Sequence, residues 1–250
     1  MTQEAWTQFF GRDYVAFSEM ILSPERTQFE RNAIVEMLKL PAGASILDLG
    51  CGQGRLSIPL AQSGYRVTGF DGAPHLLAEA KRRAEAAHVQ VNWVQGDMRE
   101  LVFSNEFDAV INIGTAFGYV PSQEEDQRIL ERIYRALKKG GRFVQDTENR
   151  DFKLTHLGQT WSRMQDQIVC SHRAFHPETG RWQENLFWFT EEGKKETLLD
   201  LRLYSATELI QMTEQAGLKV RNVYGGFDLQ PLAVHSPRML LLSDKGERSV

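Results

Sequence analysis

The stretch Ser45 to Gly54, SILDLGCGQG, constrains this chain more than any other. A short apolar run (Ile46, Leu47, Leu49) ends in glycines at alternate positions, Gly50, Gly52 and Gly54. An apolar-periodic helix begins near Leu56. Strand, glycine turn and helix in that order let backbone N–H groups approach a ligand closely. Asp48 stands just before the turn, and Asp71 ends the next apolar run, Tyr65 to Phe70. Nucleotide-binding α/β folds place a ribose-binding carboxylate about 20 residues beyond such a turn. The pattern is not the nicotinamide fingerprint, because Arg55 stands where glycine or alanine is needed, and no G-K-[ST] follows to make a P-loop.

Apolar strands then alternate with helices. Strand one spans about 45–49 and its helix ends near Ser63; strand two spans 65–70. The next helix starts at Pro74 and runs to about Ala87, with Leu77, Ala80 and Ala84 inward. Strand three is Val91–Val94 and strand four Phe107–Ile113. A helix marked by Ile129, Ile133 and Leu137 is stopped by Gly140-Gly141, ahead of strand five at Arg142–Asp146. This rhythm predicts an α/β fold: a Rossmann-like, seven-stranded, mostly parallel sheet with helices on both faces.

The rhythm breaks after about residue 150. Met164–His172, Trp182–Phe189 and Thr197–Tyr204 read as antiparallel strands, with Leu199, Leu201 and Leu203 alternating against Asp200 and Arg202. Ser205 and Glu208 have capping-box spacing ahead of a helix closed by Gly217. Two last strands follow at Lys219–Tyr224 and Arg238–Leu242. Before the glycine turn, Phe9, Phe10, Tyr14, Phe17 and Ile21 recur at helical spacing, and Pro24 opens a second helix. This prefix either packs on the sheet or folds over a ligand as a lid. One domain is expected over 1–250, made of N-terminal helices (1–43), a ligand-binding core (44–150), an antiparallel insertion or cap (155–204) and a C-terminal helix with two strands (205–250).

A net charge of −4 gives no electrostatic pull toward a polyanion, so no nucleic-acid partner is expected. Cys51 and Cys170 cannot make a disulfide framework. The opening residues MTQEAWTQFFGRD have neither a basic nor an apolar signal region, and no run approaches the ~18 apolar residues of a membrane span. A cytoplasmic protein without a membrane partner is expected, either a monomer or a homodimer.

The wording D-L-G-C-G-Q-G resembles motif I of the class I S-adenosylmethionine (SAM) methyltransferases. The segments GYRVTGFDGAPHLLAEAK, FDAVINIGTAFGYV, LERIYRALKKGGRF, LYSATELIQMTEQAGLKV and VYGGFDLQPLAVHSPRMLLL extend the likeness over nearly the whole chain. They look like a bacterial family acting on small molecules. The resemblance implies SAM as cofactor, S-adenosylhomocysteine as product, and methyl transfer to nitrogen or oxygen of a small-molecule acceptor. It implies a cofactor site of Asp48, Gly50, Cys51, Gly52, Asp71, Gly72, Gly96, Asp97, Met98, Asn112 and Ile113. There the glycine turn lies under the methionine part and Asp71 accepts from the ribose hydroxyls. Asp97 accepts from the adenine amine, Met98 donates its N–H to a ring nitrogen, and the Asn112 carbonyl lies near the amino end. Asp71 also reads as a turn residue, and Asp97 as a helix cap.

Methyl transfer from a sulfonium demands alignment and desolvation more than a base. His156, His172, His235 and Tyr14 are the candidate catalytic residues, each also readable as an ordinary packed or polar side chain. His172 and His176 lack a third ligand, so no metal is expected. Trp182 and Trp188 either pack the cap or wall an acceptor pocket. The strand-four end, Asn112-Ile-Gly-Thr-Ala-Phe, lacks the prolines of enzymes that methylate amino groups of bases in nucleic acid. Three competing readings remain: a SAM-binding protein without turnover, an RNA or protein methyltransferase, and an enzyme using a carboxylated SAM. The last would need a cation such as Arg173 or Arg238.

Overall fold

The computed structural model describes residues 5–11, 14–164, 167–191 and 193–246. The expected helical prefix starts, at residues 1–4, outside that set. Three helices lead the chain: α1 (Ala5–Phe9), α2 (Tyr14–Ile21) and α3 (Pro24–Leu38). Ser23 caps α3 by accepting from Arg26 N–H, with Pro24 in the first turn. The alternating core follows: β1 (Ser45–Leu49), α4 (Ser57–Gln62), β2 (Arg66–Asp71), α5 (Pro74–Ala86), β3 (Asn92–Gln95), β4 (Phe107–Asn112), α6 (Gln123–Ala136) and β5 (Leu137–Glu148). A one-turn helix, α7 (Arg150–Lys153), leads to β6 (Gly158–Met164), β7 (Gln167–His176), β8 (Arg181–Thr190) and β9 (Gly193–Arg202). The chain closes with α8 (Ala206–Gln215), β10 (Lys219–Tyr224) and β11 (Arg238–Asp244).

A strand that is apolar at successive positions needs cover on both faces. Leu47 and Leu49 of β1 join one buried cluster with α6 and α8, whereas Ile46 joins the other with α3 and α4. Val110 against Ala109 and Ile111 in β4, and Met239 and Leu241 against Leu240 and Leu242 in β11, divide the same way. The sheet order is β10-β11-β5-β4-β1-β2-β3. Its β1, β2, β3, β4 and β5 pairings are parallel, and β11 runs antiparallel to both β5 and β10. Strand order reverses at β1, between β2 and β4. Ligands of open α/β sheets bind beyond the carboxyl ends at such a point.

β6 to β9 form a second, four-stranded antiparallel sheet. β6 was not expected: GQTWSRM has no apolar alternation, and it becomes a strand by pairing along β7. The expected strand at 164–172 shifts to Gln167–His176, and residues 165–166 lie outside the described set. Gly140-Gly141 do not stop the preceding helix. α6 already ends at Ala136; Phe107 pairs Leu137 and Ala109 pairs Arg142, so the glycines belong to an excursion within β5, where Gly140 takes φ +74°. The capping box at Ser205 and Glu208 is present as the spacing predicts.

Candidate active site

The glycine turn is built by steric necessity. Gly50 has φ +79°, and a Cβ there would lie 2.6 Å from the Ala116 Cβ. Its N–H and that of Cys51 donate to the Phe70 carbonyl at 2.8 and 3.2 Å, which ties the turn to β2. Gly52 has φ +54°, and a Cβ there would meet nothing within 4 Å, so the bare backbone faces open space. Gly52 N–H donates to Asp71 Oδ2 at 2.8 Å, and Ala73 N–H donates to Oδ1 at 2.8 Å. Asp71 thus joins the turn to the start of α5. It keeps one lone pair free on each oxygen.

Asp48 lies beneath the turn, buried, and accepts from Ser57 Oγ at 2.6 Å. Burial pushes its pKa up to about 6, against the downward pull of Ser57. Burial likewise raises the Cys51 thiol, which is inert at neutral pH. Gly96 N–H donates to the Asp71 carbonyl at 3.1 Å. Asp97 caps a short 3₁₀ turn, accepting from Arg99 N–H at 2.8 Å, and its carboxylate also takes the Arg99 guanidinium at 2.6 Å. Arg99 continues to Glu125 at 2.8 Å, which anchors this edge to the start of α6.

All of the expected cofactor residues except Asn112 line one cavity of about 400 Å³. Asn112 lies below it, fully buried, donating to the Leu49 carbonyl at 2.7 Å; its Oδ1 has no partner among the described residues. Gly114 N–H donates to Asp146 Oδ2 at 2.8 Å on the far side of the switch point. A Cβ at Gly114, as at Gly52, would meet nothing within 4 Å. Bare backbone on both sides of the cavity and the open acceptors of Asp71 fit a ligand with ribose hydroxyls and an ammonium group.

The prefix takes both roles that its sequence leaves open. α3 packs on the sheet, while Trp6 and Phe9 of α1, Phe10 just after it and Tyr14 of α2 line the cavity from above. Phe9 also packs on Val169, Leu186 and Trp188 of the cap, and Phe10 meets Tyr119 edge-on at 5.2 Å. Trp182 and Trp188 are buried on the inner cap face; Trp182 lines the cavity and Trp188 does not.

The candidate bases divide. His156, His172 and His235 are exposed and do not line the cavity. His156 turns back to the Phe152 carbonyl at 3.0 Å. His172 sits between buried Ser171 and cavity-lining Arg173, so the period-two alternation of β7 aims it outward. His235 lies in the exposed loop before β11. Tyr14 does line the cavity, but burial pushes its phenol up to about 12, overriding the downward pull of Arg55. At neutral pH it is a hydrogen-bond donor and not a base.

Glu148, Lys153 and Glu184, which no sequence motif marks, line the cavity with Arg173 and Arg238. Alternation along β8, with Trp182, Glu184 and Leu186 buried around exposed Asn185, was a usable signal for Glu184. Nothing in the sequence singles out Lys153. Arg238 is held by two carboxylates: it pairs with Asp146 at 2.7 Å and Glu148 at 3.0 Å and donates to Thr115 Oγ1 at 2.9 Å. Its charge is already matched by these two carboxylates.

Residues 46–141 match the family model described as "Methyltransferase domain". The chain is 30% identical over 222 residues to the cypemycin N-terminal methyltransferase of Streptomyces sp., covering 81% of this chain and 84% of the relative. The fold is similar to that of a SAM-dependent methyltransferase from Clostridium acetobutylicum, with TM-score 0.80, 17% identity and coverage of 94% and 99%. It is also similar to a SAM-bound amino pentose methyltransferase from Micromonospora echinaspora, with TM-score 0.69, 20% identity and coverage of 94% and 97%.

Proposed function

The chain belongs to the class I SAM-dependent methyltransferases, and on that premise we propose that it methylates a nitrogen or oxygen of a small-molecule acceptor. The observation that carries this reading is enclosure. The cavity has the strand ends as its floor, α1 as part of its roof and the inner face of the antiparallel sheet as a wall. A volume of about 400 Å³ with aromatic walls suits a small ligand better than a polymer. The Micromonospora protein, by its name an amino pentose methyltransferase, supports an acceptor of that size.

When bound, SAM supplies a methyl group on a sulfonium, with S-adenosylhomocysteine as a ready leaving group. The chain's own residues bind, align and keep water out. In this reading the backbone of Gly50, Cys51 and Gly52 holds the methionine part, and Asp71 accepts two ribose hydroxyls on its free lone pairs. Met98 and Gly96 border the adenine. An adenine amine must share Asp97 with Arg99, since Arg99 already occupies both carboxylate oxygens. Asp48, Gly72 and Ile113 complete the wall, and Asn112, buried below it, braces the end of β1 through the Leu49 carbonyl. Trp6, Phe9 and Phe10 exclude water. Tyr14, protonated at neutral pH, is not the base: an amine acceptor attacks with its own free lone pair and the methylated ammonium sheds its proton to solvent on release, whereas an oxygen acceptor would have to bind already ionised.

The test is incubation with SAM and a panel of small amines, amino sugars and phenols, beside tRNA and a peptide mixture, read by mass spectrometry. A one-methyl mass gain in a small compound is expected. Methyl incorporation confined to RNA or to large proteins would contradict the reading.

A further inference from the structure

Opposite charges alternate from the strand ends up into the cap. Asp146 holds Arg238 at 2.7 Å, and Arg238 reaches Glu148 at 3.0 Å. Lys153 stands 3.9 Å from Glu148 and 3.6 Å from Glu184, and Arg173 Nε donates to Glu184 at 2.8 Å. The lower members are satisfied by one another. The upper end is not. Arg173 uses Nε alone, and no described residue takes its two terminal amino groups. Lys153 has no hydrogen-bond partner among the described residues: its ammonium has the two carboxylates at ion-pair distance and the Trp182 ring at 4.6 Å. Glu184 is occupied by Arg173 and by Trp182 Nε1 at 3.3 Å, and its pKa is lowered by Lys153 and Arg173 despite burial. Lys153, Arg173, Trp182 and Glu184 all line the cavity.

We propose that Arg173 and Lys153 are the carboxylate-binding end of the acceptor site, so that the acceptor is a small carboxylic acid methylated at another atom of the same molecule. This rests on the small-acceptor reading above. The two cation side chains are only 22% and 14% exposed and both line the cavity, so an anion bound there is paired with them in a partly water-excluded space where the attraction is less screened than at the surface. The planar end of a guanidinium matches the two oxygens of a carboxylate. Three carboxylates (Asp146, Glu148, Glu184) alternate with three cations (Arg238, Lys153, Arg173), so the row is neutral as a whole and ends at the cap on the Arg173 guanidinium, where a monoanion adds less repulsion from Glu148 and Glu184 than a phosphate dianion would. Arg173 and Lys153 flank the cap side of the cavity, whereas the glycine turn and Asp71 form its floor at the switch point.

The experiment uses the whole chain saturated with S-adenosylhomocysteine, whose binding is measured first. Benzoate, benzamide and inorganic phosphate are then titrated by ligand-observed NMR, and every variant is melted. Benzoate is expected to bind without displacing S-adenosylhomocysteine, with benzamide and phosphate weaker by about tenfold or more. Arg173→Gln and Lys153→Gln should each weaken benzoate by about tenfold, and Arg173→Lys should recover part of that loss. His172→Gln, on the outward side of the same strand, should leave it unchanged. If one cap variant fails to melt cooperatively, the other decides. The proposal is overturned if benzoate does not bind, binds no better than benzamide, or binds more weakly than phosphate. It is also overturned if benzoate competes with S-adenosylhomocysteine, which would put the anion site in cofactor space. A folded protein that fails to bind S-adenosylhomocysteine in the first step removes the SAM-site reading itself, a separate outcome.

Discussion

A carboxylate sealed beneath a ligand turn affects both stability and site geometry. Asp48 holds the first residue of α4 through Ser57, and burial raises its pKa from 3.8 to about 6. The folded state therefore keeps a proton that the unfolded chain gives up at lower pH. This group's contribution is most favourable below pH 4 and is lost as the pH rises through 6. Two pKa units amount to about 3 kcal/mol. Asp48→Asn keeps an acceptor for Ser57 and removes the titration. Its stability relative to wild type should rise by up to about 3 kcal/mol between pH 4 and pH 7 in urea unfolding. Asp126, also raised to about 6, is present in both proteins and cancels. A difference that does not change with pH would show that Asp48 does not titrate in this way. At the same scale, residue type alone could not decide between roles. Asp97 reads from sequence as adenine partner or cap, and the cap is built, with Arg99 as partner. The chemistry of a histidine does not say which way it points; only strand register tells that His172 faces out and Arg173 in.

The turn between β1 and α4 separates two uses of glycine that look alike in sequence. Gly50 is required by packing, since a Cβ would collide with Ala116 at 2.6 Å and Met98 at 2.9 Å. Gly52 meets no such collision: a Cβ there would stand in open space beside the cavity, while its N–H is held by Asp71. Gly50→Ala should destabilise the fold by roughly 2–3 kcal/mol or more, through overpacking on top of left-handed strain. Gly52→Ala carries only the strain, about 1 kcal/mol, but puts a methyl into the ligand space and should weaken S-adenosylhomocysteine by about tenfold or more. Thermal melting and calorimetric titration check the pair. Equal loss of melting temperature with unchanged affinity for Gly52→Ala would contradict the assignment. The alternating core was legible because its strands are continuous apolar runs and its helices carry periodic stripes and caps. β6 was not, because its polar sequence is ordered by its pairing with β7 and not by its own pattern. The roof formed by α1 was only half legible: an aromatic stripe shows what must be covered and not what covers it.

The molecule as a whole joins two sheets around one cavity. The seven-stranded sheet supplies fixed backbone at its switch point, and the antiparallel sheet supplies charged and aromatic side chains facing it. The division of labour follows from physical chemistry. A cofactor common to many reactions is met by backbone and a few carboxylates on rigid strand ends, so its site can be read from a short sequence pattern. The opposite wall is built of side chains on an inserted sheet, where Arg173 and Glu184 are distant in sequence from the glycine turn. No helix among the described residues is long and apolar enough to cross a membrane. A cofactor site made of the glycine turn and Asp71 is open to calorimetric titration with S-adenosylhomocysteine. The wild type should bind in the micromolar range. Asp71→Ala, and Asp71→Asn as the variant that keeps an acceptor for the turn, should weaken binding by about tenfold or more while still melting cooperatively. A folded wild type that does not bind S-adenosylhomocysteine, or folded Asp71 variants that bind it as tightly as wild type, would contradict the account.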